Sequence, residues 1–297
     1  MGKDDRTWVD HLRSRDNLQW LKPSWRLFRK LSSFAKSGDS SAGLIFQNIS
    51  SLLAEDPLIR LEEFDGVFRL PVTSDLFQRI VSTGCYEPEL ARIVKKYIDR
   101  DRDAIDVGAN VGFFSCLMAK QISGKVLAVE PTDGAFERLV KNINLNRLDG
   151  RIETFKGVAS DSNGKCSISV VLGREEYSSI GRIIHPSVAI SEKHEIEVLA
   201  QTIDSLVALH DLNPGFMKID TEGAEGMVLK GAMNTIRQSR PVILSEMTNV
   251  LLKDKGYTSE AIFATLKAEG YKILNPIDTT LAANPKYCSE ILAIPLE

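Results

Sequence analysis

The sequence predicts an α/β fold of the Rossmann-like type, a sheet with helices on both faces, and three observations carry that prediction. The first is residues 104–122: a short apolar strand, a glycine turn from Gly108 to Gly112, and an apolar helix from 113 onward. The second is that the alternation repeats, with strands expected at 125–129, 152–155, 216–219 and 241–245 and helices at 134–146 and 224–236. The third is where the carboxylates fall. Glu130, Asp220, Glu222 and Glu246 each stand just past or at the end of an expected strand, the edge at which ligands bind in open α/β sheets.

The glycine turn reads as a cofactor site. Gly108 would let backbone pass close under a ligand, and Gly112 would let the helix start pack against the strand. A dinucleotide is disfavoured, because its pyrophosphate wants G-x-G-x-x-G, whereas these glycines stand four apart. Asp106, directly before the turn, would repel phosphate and suits a cationic ligand. Glu130, at the end of the next strand and followed by Pro131, stands where an acidic residue accepts ribose hydroxyls. An adenosine ribose, a sulfonium, an ammonium and no phosphate describe S-adenosylmethionine.

Length and composition bound the rest. The 297 residues, 43% hydrophobic, suffice for one α/β domain with an appendage. The net charge of -3 conceals an asymmetry: residues 1–36 hold nine Lys or Arg against four Asp. Four cysteines, Cys85, Cys116, Cys166 and Cys288, lie far apart with no C-x-x-C pair, and read as reduced and buried, which suits a cytoplasmic protein. No signal peptide or membrane-spanning run is expected.

Residues 1–75 are expected to form a basic helical extension or cap, and 76–297 the catalytic domain. All three tryptophans, Trp8, Trp20 and Trp25, fall in the extension. From 25 to 36, Leu27, Phe28, Leu31 and Phe34 share a helical stripe flanked by Arg26, Arg29, Lys30 and Lys36. Such a helix suits packing on the domain or on a second subunit, or peripheral contact with an anionic membrane. Apolar residues around Asp65–Gly66 predict a small hairpin, and helices follow at 76–82 and 88–97. The loop between those helices puts Tyr86 and Glu87 over the cofactor as a lid.

After the third strand, the loop at 157–161 brings Ala159 and Asp161 to where adenine is held, with Asp161 accepting from the amino group or forming a plain turn. Strands at 165–172 and 195–200 bracket a long polar loop. Loops of that length are usually functional or mobile, and Tyr177, Ser179 and His185 are its expected substrate contacts.

A second chemical centre is the KIDTEGAE stretch at 218–225. Carboxylates crowded on one sheet edge are unfavourable unless a cation or a proton needs them there. Asp220, Glu222 and Glu246 therefore either take a proton from a hydroxyl as general base or hold a divalent ion such as magnesium. Glu225 reads as a partner of a surface Lys or Arg.

DVGANVG at 106–112, VEP at 129–131, TIDSL at 202–206, KIDTEGAE at 218–225 and LSE at 244–246 together resemble the FkbM-type methyltransferase family, over about residues 84–250. The resemblance implies a class I methyltransferase fold with a seven-stranded mixed sheet, and the residues beyond it independently read as the last two strands, at 271–274 and 290–294. It implies S-adenosylmethionine as donor and O-methylation of a hydroxyl, often on a sugar of a glycan, lipid or natural product. It also implies that Asp106, Gly108, Asn110, Gly112 and Glu130 contact the cofactor, while Asp220 and Glu222 face the acceptor. The partner is then a small molecule or glycan with a free hydroxyl, and no nucleic acid. A homo-oligomer is compatible with the sequence. Methylation of a small amine is disfavoured because no D/N-P-P-Y motif follows the fourth strand. A nicotinamide oxidoreductase and a catalytically silent, membrane-tethered adenosine-cofactor scaffold are the other readings; the intact acidic positions argue against the last.

Overall fold

A computed structural model describes residues 56–171, 178–180 and 192–296 of the chain. The expected helix at 25–36, Tyr177 and His185 lie outside the described residues.

The described residues open on a hairpin, β1 (Leu58–Leu61) with β2 (Gly66–Arg69), followed by α1 (Asp75–Thr83) and α2 (Pro88–Tyr97). Then come β3 (Asp103–Val107), α3 (Phe113–Gln121), β4 (Val126–Glu130), α4 (Asp133–Leu145) and β5 (Ile152–Lys156). Four strands follow: β6 (Val158–Ala159), β7 (Gly164–Val170), β8 (Ser179–Ile180) and β9 (His194–Gln201). The chain returns through α5 (Ile203–Leu209), β10 (Pro214–Ile219), α6 (Glu225–Lys230), α7 (Met233–Ser239) and β11 (Val242–Glu246). It ends with α8 (Asn249–Asp254), α9 (Ser259–Ala268), β12 (Tyr271–Leu274) and β13 (Glu290–Pro295).

The main sheet has seven strands in the order β12-β13-β11-β10-β3-β4-β5. β13 runs antiparallel to both its neighbours, and the other pairings from β11 to β5 are parallel. Together with helices on both faces, this is the class I methyltransferase architecture.

Alternation along each central strand divides the core in two. Ala104, Phe216 and Leu244 face the layer of α2, α3, α4 and the hairpin, whereas Ile105, Met217 and Ile243 face α5, α6, α7 and α9. Asp106 and Lys218 lie on the first side, directly opposite each other in the β3–β10 register.

Of the segment expected as an extension, residues 56–75 pack into the main body. Phe64 and Phe68 are fully buried, and each ring lies within 5.3 Å of Phe113 at the start of α3. Asn142 of α4 is also wholly buried; it accepts from Arg69 N at 2.8 Å and donates to Val111 O at 2.8 Å, joining the hairpin to the glycine turn.

Two local expectations are corrected and one is extended. The helix expected at 224–236 is two helices, because at Gly231 the chain passes so close to another loop that a Cβ would fall 2.0 Å from Ser160 O. Its carbonyl leaves the helical ladder and accepts from Asp204 N at 3.0 Å. Strands β7 and β9 stand where strands are expected, and they pair with each other in a separate four-stranded sheet ordered β6-β9-β7-β8. Of the four cysteines only Cys116 is buried; all four are free thiols.

Candidate active site

A cleft of about 400 Å³ opens at the carboxyl ends of β3, β4, β10 and β11. Its cofactor side begins with Glu130. This buried carboxylate accepts from Asn110 N at 2.9 Å and from the amide and hydroxyl of Thr132 at 2.9 and 2.7 Å. Three more amides of the turn are engaged: Gly108 N and Ala109 N donate to Val129 O, and Gly112 N to Ala109 O. The Glu130 carboxylate, bonded to the Asn110 amide, stands where the charge of a pyrophosphate would fall. Ribose hydroxyls can donate to the Glu130 carboxylate, the acceptor at this end of the cleft.

The turn itself is held by positive φ at Gly108 (80°), Asn110 (49°) and Gly112 (93°). Gly108 serves a purpose that the sequence did not suggest. A Cβ there would lie 1.8 Å from the carbonyl oxygen of Asp220, so the absence of a side chain admits the neighbouring loop, while the residue itself lines the cleft. Gly112 faces Leu139 of α4, not the strand, and lies off the cleft.

Asp106 is the largest correction. Its side chain is fully buried behind the turn and does not line the cleft. Its expected cation comes from within the chain: Lys218 Nζ stands 4.0 Å from Asp106 Oδ1, while Ser115 Oγ donates to Oδ2 at 2.5 Å. Burial pushes the Asp106 carboxyl up, and Lys218 and Ser115 pull it partly back. Lys218 also donates to Asp220 Oδ2 at 3.0 Å and lies 4.7 Å from the centre of the Phe114 ring. Burial works against its charge, but Asp220, Asp106 and Glu87 outweigh burial and hold it protonated above the usual lysine range.

On the far side of the cleft, one oxygen from each of Asp220, Glu222 and Glu246 lies within 4.8 Å of the others. Glu222 sits in a left-handed conformation (φ 53°), next to Gly223 at φ 103°. Glu225, read from sequence as a surface ion pair, is instead fully buried. Its Oε1 accepts from Thr221 N, Thr221 Oγ1 and Gly223 N at 2.9, 2.9 and 3.2 Å, bracing the loop that presents Asp220 and Glu222. Glu246 accepts from Thr248 Oγ1 at 2.7 Å, and its Oε2 is buried with no hydrogen-bond partner. Burial first, then Asp220, Glu222 and Glu225, push the Glu246 carboxyl up to about 9.

Tyr86, Pro131 and Ala159 line the cleft, as the sequence suggests. Asp161 does not; it is paired with Lys230 at 2.8 Å. Ser179 pairs with Ser169 in β8, and its neighbours Ser178 and Ile180 reach the cleft. Sequence reasoning missed Glu290, which also lines the cleft, because its position opposite Glu246 depends on the antiparallel β11–β13 register. It also missed Lys218, whose isolated charge in an apolar strand was the available signal.

The sheet order and the acidic cleft define a class I methyltransferase. More particularly, the methyltransferase FkbM domain matches residues 106–273, and the chain belongs to that family. It is 27% identical over 169 residues to the hexuronic acid methyltransferase AglP of Haloferax volcanii, a match that covers 57% of this chain and 65% of that relative. Among solved structures it resembles the methyltransferase FkbM of Methylobacillus flagellatus (16% identity, 84% of this chain and 57% of that one, TM-score 0.42). It also resembles a putative rRNA methylase of Clostridium thermocellum (12%, 68% and 89%, TM-score 0.41). Among the described residues no helix is long and apolar enough to cross a membrane.

Proposed function

We propose that the chain is an S-adenosylmethionine-dependent O-methyltransferase acting on a hydroxyl of a sugar, in a glycan, glycolipid or natural product. The observation that carries this reading is one cleft with two differently built ends. Glu130 is set among amide and hydroxyl donors at the β4 end, and the carboxylates of Asp220, Glu222 and Glu246 gather across β10 and β11. FkbM membership supports methyl transfer, and the hexuronic acid methyltransferase among its relatives supports a sugar acceptor.

The bound cofactor supplies an activated methyl group on sulfonium. The chain's own residues then need to hold an acceptor oxygen in line and remove its proton. Asp220, fixed by Lys218, is the base in this reading. Glu246, protonated at neutral pH, is a donor able to hold a neighbouring acceptor oxygen, and Glu222 completes the wall. A second reading gives Asp220, Glu222 and Glu246 a divalent cation such as magnesium, favoured by the closeness of their oxygens and the unpartnered Glu246 Oε2.

Calorimetric titration with S-adenosylmethionine, with and without magnesium and a chelator, tests the donor; transfer of labelled methyl to a panel of sugar hydroxyls tests the acceptor. Binding without metal dependence supports the base reading, and turnover abolished by chelator and restored by magnesium supports the metal reading. Absence of binding in every condition overturns both.

A further inference from the structure

With Asp106 sealed behind the glycine turn, the cationic amino-acid end of the cofactor lacks the carboxylate that the sequence assigned to it. The sheet order says where to look for another. β4, with Glu130, lies on one side of β3, and β10, with Asp220, lies on the other. Strand spacing places those two strand ends on the order of 10 Å apart. A ligand whose ribose meets Glu130 and which crosses Gly108 therefore directs its other end toward Asp220.

Glu87 stands at that end. It lines the cleft, its side chain is 20% exposed, and its carboxyl interacts electrostatically with both Asp220 and Lys218. Its backbone is left-handed (φ 41°, ψ 52°) directly before Pro88 at the head of α2, a strained conformation for a residue with a side chain. A carboxylate at a helix N-cap normally accepts from the first amides of its helix, but Glu87 makes no such side-chain bond. Its neighbouring cations are committed elsewhere or weak. Lys218 is shared between Asp106 and Asp220. Arg79 is 56% exposed, 3.4 Å away and stacked over Tyr86. Burial, then Asp220, push the Glu87 carboxyl up, while Lys218, Arg79 and a hydrogen bond from Tyr86 pull it partly back.

We infer that Glu87 binds the α-ammonium of the cofactor, and that the Tyr86–Glu87 turn is the subsite for its amino-acid end. This rests on the S-adenosylmethionine reading above and names which part of that molecule the turn recognises. The ammonium supplies a cation inside the cleft where the chain offers only the exposed Arg79, and the left-handed backbone keeps the carboxylate off the helix end.

Two ligands separate this role from a structural one. S-adenosylhomocysteine carries the amino-acid end, and 5′-methylthioadenosine has the same nucleoside without it. Calorimetry on the full chain and on Glu87→Gln is expected to show S-adenosylhomocysteine weakened about tenfold or more, the size of a lost charge-assisted hydrogen bond, with methylthioadenosine within about twofold. Glu87→Asp, which keeps the charge on a shorter arm, is expected to fall between. Equal losses for both ligands, or no loss for either, overturn the assignment while leaving the cofactor reading intact. A wild-type chain that binds neither ligand overturns the cofactor reading and this assignment with it.

Discussion

Lys218 and Asp106 face each other across the β3–β10 ladder, with Nζ 4.0 Å from Oδ1 and both side chains at 5% exposure or less. The same ammonium is 3.0 Å from Asp220, so one buried cation ties the interior of the sheet to the cleft. Removing it leaves the buried Asp106 carboxylate with Ser115 but no cation. Lys218→Met is expected to lose about 3–5 kcal/mol of stability. The double variant Lys218→Met, Asp106→Asn, which removes both charges, is expected to recover much of that loss. Chemical denaturation of the two variants and their parent measures this; equal stability of single and double variants would mean that the pair is not coupled.

Gly108 makes the second link between the two loops. Its φ of 80° alone penalises any side chain, and the Asp220 carbonyl occupies the space of a Cβ. Gly108→Ala is expected to lower the melting temperature and to weaken nucleoside binding and turnover together, because the glycine turn and the acidic loop must separate. Gly150→Ala is the control: it has a similar φ of 75°, but no atom lies within 4 Å of its Cβ position. A destabilisation of Gly108→Ala no larger than that of the control would show that backbone strain, not the contact, governs the site.

These two links also mark where the sequence stops being legible. Strand periodicity and the glycine turn were enough to place β3, β4, β10 and β11, and strand ends bring Glu130, Asp220, Glu222 and Glu246 to one edge without knowledge of packing. The direction of a side chain within a strand was not so evident. Asp106 and Val107 are adjacent in sequence yet face opposite layers, and only the packed structure shows that Asp106 turns inward to Lys218. Glu225 was misread for a related reason. In a helix-leading motif its charge looked solvated, whereas the loop folds back so that its carboxylate collects three donors from Thr221 and Gly223. Residues 165–172 and 195–200 read as strands, but the second sheet they form also takes in β6, two residues long and invisible to periodicity.

Glu246 predicts a pH dependence of stability. Its folded-state value of about 9 lies above the ordinary 4.5, so between those values the folded chain holds a proton that the unfolded chain has lost. Its contribution is therefore fully present below about pH 4.5 and is lost as pH rises through about 9. Asp106, Glu87 and Glu225 are shifted in the same direction and add to the trend. Glu246→Gln, which cannot ionise, is expected to melt at higher temperature than the parent at pH 8–9 and to show a flatter melting temperature between pH 5 and 9. Parallel pH profiles for the two would place the ionisation elsewhere.

Asp220→Asn separates proton removal from architecture. The amide oxygen can still accept from Lys218, so the buried cation keeps a partner and the loop its position. What is lost is the basicity of the group. Turnover is expected to fall by about 10²–10⁴, the usual contribution of a positioned base, while the affinity for methylthioadenosine stays within about threefold. The substitution also removes one of the charges that raises Glu246, whose carboxyl then ionises at lower pH than in the parent. Residual activity in Asp220→Asn should accordingly rise with pH as Glu246 becomes a substitute base, and Asp220→Asn, Glu246→Gln should lack that rise. If the single variant keeps parental turnover at neutral pH, the proton leaves by a route that does not involve Asp220.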